Sequence, residues 1–302
     1  MATIIPSMFR RVEGVHYSRE RIDTLDHDFL DLDWLRSGSR SLVVLSHGLE
    51  GSSDRPYVLG MAKYFHQKGW DVLAWNCRSC GGEINRQGRF YHHGETSDLK
   101  WVIEHALHTS KYSHVWVVGF SLGGSMTIKY IGEGGGQLPV EVKGGVAISV
   151  PVDLAGSVQE FEKPSMAFYR NRFLRKLEDK VRRKAALYPE VIEYKDFSNI
   201  KRFPDFDNAY TAPLHGFSDA NDFYQKASAL NFIPGTCRPL LLINAWNDPF
   251  LSKSCFPLGI AEGNNLFHLE AAGRGGHVGF TLAGSEFNYI EKRTFDFVQE
   301  HF

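Results

Sequence analysis

The chain of 302 residues has only four cysteines, and none of its apolar runs approaches the roughly eighteen residues that a membrane-spanning helix needs. A disulfide scaffold is therefore excluded at this length, and Cys77, Cys80, Cys237 and Cys255 suit a reducing compartment. Cys77 and Cys80 form a lone Cys-x-x-Cys with no second pair to complete a zinc site, so both read as small buried hydrophobes. An excess of one charge is also missing. Lys plus Arg total 34 against 35 for Asp plus Glu, so no global field recruits nucleic acid or an anionic membrane. Met1–Glu13 lacks the basic-then-apolar order of a secretory leader, because Arg10 and Arg11 come after the apolar residues. No repeat or low-complexity linker appears. A cytoplasmic location is the expectation.

What is present is apolar and aromatic. Hydrophobic residues make up 43% of the chain, with 22 Phe, 12 Tyr and 6 Trp, which favours a large buried core over disorder. From about residue 41, short apolar runs alternate with helical patterns, the mark of βαβ units and a mainly parallel sheet. Strands are expected at Ser41–Ser46, Asp71–Asn76, His114–Phe120, Val146–Val150, Leu240–Ala245 and Leu266–Leu269. Helices are expected at Tyr57–His66, after Thr96 or Ser97, at Leu122–Ile131 and at Ser285–His301. Between Asp153 and Gly235 the alternation stops. A stretch of roughly eighty residues is too long for a loop and must carry its own helices, chief among them Ser165–Tyr188. The expected organisation is an α/β core from 1–153 and 236–302, with a helical lid from 154–235 inserted late in the sheet.

Gly119-Phe120-Ser121-Leu122-Gly123-Gly124 matches the G-x-S-x-G nucleophile elbow, and it has the required context of a buried strand before and a helix after. Glycines two positions either side of Ser121 free space for a strained turn that lifts its hydroxyl above the sheet. Such a serine needs a histidine base oriented by an acid, in the chain order serine, acid, histidine. Asp248 follows the LLLINAW strand and His277 follows the LFHL strand, so both can rise at the sheet edge where Ser121 sits. Two backbone N–H groups must face the developing oxyanion; Leu122 after the nucleophile and Leu49 in the His47-Gly48-Leu49 turn are the candidates. Asp153, after the VAISV strand, is the rival acid.

Several longer stretches carry a family resemblance: HGLEGSSDRPY (47–57), NCRSCGGEINRQGRFYHHGETSDL (76–99), GFSLGG, TAPLHGF (211–217), NDPF (247–250) and GGHVGF (275–280). Together they resemble the YheT-like α/β-hydrolases over roughly residues 40 to 300. The resemblance implies the α/β-hydrolase fold, a triad of Ser121, Asp248 and His277, and serine-hydrolase or esterase activity. Some eukaryotic relatives act on lipids or transfer acyl groups to alcohols. The family's Asp-Asp-Pro is here Asn247-Asp248-Pro249, which keeps the proline-adjacent acid and removes a neighbouring charge.

The remaining features weigh less. His268 reads as a core histidine and His47 as a brace for the oxyanion loop. His92, His93 and Glu95 suggest a metal cluster, but adjacent histidines on extended chain point apart, so a loop-fixing role beside the site is the simpler reading. No metal or cofactor is expected. Between Lys163 and Lys184, nine basic residues face Glu178 and Asp179, a stripe that could meet anionic head groups although a solvated face is simpler. Phe168, Phe173 and Leu177 of the lid, with Phe120 and Phe250, are the candidate acyl-pocket residues. The expected activity is hydrolysis of small esters with apolar short or medium acyl chains. An acyltransferase or a lipid or thioester hydrolase would use the same triad, and a non-catalytic binding module is the remaining alternative. Acyl length, physiological substrate and oligomeric state are not legible from the sequence.

Overall fold

A computed structural model describes residues 10–302; most of the N-terminal run read for a leader lies outside the described residues. The chain begins with an antiparallel pair, β1 (Ser18–Asp23) and β2 (Phe29–Leu35). Then come β3 (Ser41–Ser46), helix α1 (Pro56–Gln67), β4 (Asp71–Asn76), α2 (Ser97–Thr109), β5 (His114–Phe120), α3 (Leu122–Gly134) and β6 (Val142–Ile148). A helical insertion follows, with α4 (Leu154–Phe161), α5 (Ala167–Leu187), an irregular helical run over 203–215 and α6 (Ala220–Ala227). β7 (Leu240–Ala245), β8 (Phe267–Ala272) and α7 (Tyr289–Glu300) complete the core.

All eight strands form one sheet, ordered β1-β2-β4-β3-β5-β6-β7-β8. From β4 to β8 every neighbouring pair is parallel, as the alternation of strands and helices predicts. The antiparallel β1 and β2 are an addition that the apolar pattern hides. In FLDLDWL two aspartates interrupt the apolar residues, yet all seven positions are buried. The reason is cross-strand: Arg19 stands opposite Asp33 and Arg21 opposite Asp31, and each guanidinium grips its carboxylate through two hydrogen bonds of 2.7–3.0 Å.

Both sheet faces are covered. On one, Val58, Met61 and Phe65 of α1 and Ile290, Phe297 and Val298 of α7 pack against Val43, Val72 and Val118. On the other, α2, α3 and the insertion pack against Val44, Leu73 and Val117. Each fully buried large apolar side chain contributes roughly 1.5–3 kcal/mol, so this two-sided burial carries the sheet. Some boundaries shift. β6 starts earlier than expected, at Val142, and α7 starts at Tyr289 rather than Ser285 because Asn288 and Glu291 cap it reciprocally. Among the described residues no helix is long and apolar enough to cross a membrane.

Candidate active site

The site begins with the turn between β5 and α3. Ser121 has φ 53 and ψ −116, a conformation that L residues rarely adopt. Its N–H bonds Ile148 O of β6 at 2.8 Å, and it caps α3 by accepting Ser125 N–H at 3.0 Å. The flanking glycines are required by backbone proximity. A Cβ on Gly119 would overlap the Gly123 carbonyl, and one on Gly123 would overlap the carbonyls of Ser46 and His47. The end of β3 is thus pressed directly against the first turn of α3.

Asp248 follows β7 and His277 follows β8. His277 Nδ1 lies 2.8 Å from Asp248 Oδ2, while Asp248 Oδ1 accepts Phe250 N–H at 3.0 Å. Because a carboxylate only accepts, the imidazole proton sits on Nδ1 and Nε2 is left as the basic nitrogen. The histidine loop is clamped by side chains from neighbouring strand ends. Asn247 Oδ1 accepts the N–H groups of both Gly275 and Gly276 at 2.9 Å, and Ser149 Oγ accepts Val278 N–H at 2.9 Å. Asp153 lies elsewhere: it caps α4 through Gly156 N–H and accepts from Ser254.

The turn after β3 faces this pair. Gly48 O accepts from Gly51 N–H at 2.9 Å and lies 2.8 Å from His47 Nδ1. In a trans peptide the Leu49 N–H points opposite to that anchored carbonyl. His47 Nε2 accepts Cys77 N–H at 3.1 Å, so the ring spans two loops as a neutral brace, its pKa pushed down to about 4 by burial. Leu122 is the first residue of α3, where an N–H has no intrahelical acceptor.

These parts open on one cavity of about 250 Å³. Ser121, His277, Leu49 and Leu122 lie on its core side, and Phe161, Tyr169, Phe173, Leu177 and Phe250 supply much of its apolar wall. Along 203–214 one helical stripe, Phe203, Phe206, Tyr210 and Leu214, closes the far side.

A family model described as the alpha/beta hydrolase fold matches residues 41–254. The chain is an α/β hydrolase. It is 32% identical over 93% of its length to YheT of Escherichia coli (strain K12), a protein provisionally named an esterase, of which the match covers 83%, and this places it in the YheT-like group. It is 26% identical to mouse phospholipase ABHD3, covering 88% of this chain and 67% of that protein. Among solved structures, an esterase of Pyrococcus furiosus superposes with TM-score 0.61 at 19% identity, covering 95% of this chain and 91% of the other, a likeness of fold.

The hydrolase departs from the sequence reading at several positions. Of the five pocket candidates, Phe173, Leu177 and Phe250 line the cavity. Phe168 does not: it is 62% exposed, one position off the inward stripe of α5. Phe120 is wholly buried beneath the elbow against Tyr57, since successive strand residues face opposite sides. The basic stretch on α5 is no single solvated stripe. Lys180 and Lys184 are buried and turned toward the core, where Lys180 meets Glu50 and Lys184 meets Asn85. Burial pushes Lys184 down to about 7. Lys163, Arg172, Arg175, Arg182 and Arg183 stay exposed.

His92 and His93 both border the cavity, because the chain turns at His93-Gly94 instead of running extended. Across the cavity wall His92 meets His215 of the insertion, ring centroids 4.6 Å apart, and with Glu95 the three offer donor atoms within 4.8 Å. Two of the three are already wired by hydrogen bonds. His92 Nδ1 accepts Gly94 N–H at 3.1 Å, which puts its proton on Nε2, and Glu95 accepts from Arg89 at 3.0 Å and from Ser97 N–H at 2.8 Å. The geometry is that of a latch between core and insertion. Asn247 and Ser149 were missed as parts of the site; the only sequence signal was an Asx residue directly before Asp-Pro.

Proposed function

We propose that this hydrolase cleaves carboxylic esters with short or medium apolar acyl groups through an acyl-enzyme on Ser121. The observation that carries the reading is the 2.8 Å Asp248–His277 bond, with His277 and Ser121 on one cavity wall. His277 Nε2 takes the serine proton as Oγ attacks the ester carbonyl, and Asp248 holds the ring in that tautomer and stabilises the imidazolium. The Leu49 and Leu122 N–H groups receive the negative charge of the tetrahedral intermediate. The imidazolium then protonates the leaving alcohol, and water, activated by the same nitrogen, releases the acid. An alcohol in place of water would make the same intermediate an acyltransferase, so products are to be analysed with and without added alcohol.

The aromatic wall favours apolar acyl groups, because a charged one would lose its hydration against Phe161, Phe173, Leu177 and Phe250. We infer that the insertion acts as the lid that forms this acyl arm. On the same reading, Arg55, Arg172 and Lys176 at the cavity would attract the alcohol portion of anionic esters, including lipid head groups. Relatives named esterase and phospholipase support ester chemistry of this kind. The test is fluorophosphonate labelling followed by a p-nitrophenyl ester panel of increasing chain length. Labelling and hydrolysis that both vanish in Ser121→Ala support the proposal; turnover that survives the substitution overturns it.

A further inference from the structure

The lid helix α5 reaches the oxyanion loop through one buried ion pair. Lys180 Nζ lies 2.6 Å from Glu50 Oε1, and their side chains are 9% and 8% exposed. Glu50 follows Leu49 and occupies the third position of the Gly48–Gly51 turn with φ 52, where glycine or asparagine is usual. Its polar groups are tied. Its N–H donates to Tyr91 Oη at 2.9 Å, and that hydroxyl donates back to Glu50 Oε1 at 2.7 Å. Its carbonyl accepts from Arg55 at 2.9 Å and from Lys176, also on α5, at 3.3 Å. Lys180 also lies 3.2 Å from Cys80 Sγ.

We propose that Glu50 and Lys180 are positioning residues which hold the Leu49 N–H in place for the oxyanion only while α5 is seated on the core. The proposal rests on the Ser121 acyl-enzyme reading and deepens it. The Leu49 N–H is aimed by the anchored Gly48 carbonyl, and that anchor, Gly51 N–H, returns to Gly48 only if Glu50 keeps its left-handed conformation. A non-glycine residue holds that conformation when surrounding contacts over-determine it. All five contacts come from charged side chains or Tyr91, and two of them from the lid. Removing Lys180 leaves an unpaired buried carboxylate that is drawn toward water, and the turn relaxes with it. Lid seating and oxyanion geometry are then one equilibrium.

The experiment compares wild type, Lys180→Met, Glu50→Gln and Lys180→Arg on p-nitrophenyl butyrate. It records kcat and KM, inhibition by an alkyl trifluoromethyl ketone, whose hemiketal carries the oxyanion, inhibition by 1-hexanol, which fills the acyl arm without one, and Tm. Expected for Lys180→Met is a kcat lower by about ten- to a hundredfold, short of the loss of a whole donor, with KM within about twofold. Ketone affinity should weaken by the same factor while hexanol affinity holds, and Lys180→Arg should recover most of kcat. If Lys180→Met does not fold, Glu50→Gln, which preserves shape and the Tyr91 bond, should show the same split at about three- to tenfold. A lowered Tm with unchanged kcat, or equal weakening of ketone and hexanol, makes the pair a mere staple and overturns the proposal. Failure of the underlying reading looks different: wild-type hydrolysis would survive Ser121→Ala.

Discussion

The sheet edge and the helical insertion build the two halves of one cavity by different means. At the sheet edge the contacts that set geometry are between backbones, as where Gly123 lies against the carbonyls of Ser46 and His47. No side chain larger than hydrogen fits there, so the nucleophile turn admits essentially one solution. In the insertion the contacts are between side chains: Phe161 on Phe203 and Phe250 with centroids 5.1 and 4.7 Å away, His92 on His215, Lys180 on Glu50. Such contacts accept other residues of similar volume at modest cost. The proposed function therefore sets its chemistry on the part that cannot vary locally, and its selectivity on the part that can.

The strongest test of that division is Ser121→Ala, which should lower ester turnover by a factor on the order of 10⁶ with a nearly unchanged Tm. Residual turnover above about a thousandth of wild type would place the nucleophile elsewhere. Next, Asp248→Asn should cut kcat by on the order of 10⁴ through the wrong histidine tautomer, the size seen in the Ser-His-Asp proteases. Asp153→Asn, at the cap of α4, should cost stability and spare kcat; the opposite ranking would move the acid to Asp153.

Acid stability probes both halves together. Burial pushes His47 in the core and His215 in the insertion down to about 4. Between pH 6.5 and 4 the unfolded chain binds protons that the native histidines refuse, so stability falls as pH drops through that window and returns as it rises. His47 alone contributes on the order of 3 kcal/mol to that fall. Asp207, lifted to about 6 by burial beside Thr211 and Tyr224, has the opposite sign and loses its contribution as pH rises through about 6. Melts at pH 4.5, 5.5, 6.5 and 7.5 should therefore rise more steeply in Asp207→Asn than in wild type. An identical slope removes Asp207 from the account.

Smaller effects separate neighbours on α5. Phe173→Ala should shift the preferred acyl length upward, changing kcat/KM ratios across the ester panel by about tenfold. Phe168→Ala should leave them unchanged, and equal responses would erase the distinction between inward and outward faces. Smallest is the charge effect: Arg172→Gln, which spares the Lys176 bond to the Glu50 carbonyl, should lower the salt sensitivity of kcat/KM for phosphate-bearing esters and leave neutral esters untouched. Identical salt responses in both ester series would remove the anionic-substrate clause.

Much of the architecture was legible because its signals are local. β3, β4, β5 and β7 lie where their unbroken apolar runs place them, and Gly119 to Gly124 announces the elbow because a strained turn admits few residue types. Ser121, Asp248 and His277 were candidates through their order after β5, β7 and β8, which fixes the sheet edge without fixing a distance. What stayed hidden depends on partners distant in sequence. Asp31 and Asp33 read as polar interruptions until Arg21 and Arg19 stand across from them. Lys180 and Lys184 read as solvated until Glu50, and Asn85 some hundred residues away, neutralise or bond them in the core. Asn247 reads as a lost charge until two glycine N–H groups arrive from the histidine loop. By itself the sequence determined which segments become strands, where the chain bends sharply and which residues are candidates for acyl chemistry, since those follow from apolar period and backbone sterics. The tertiary structure alone decided which charges are buried, which phenylalanines of one helix line the cavity, and that a lysine of the insertion reaches the turn after β3, because burial of a polar group is settled by the partner that compensates it.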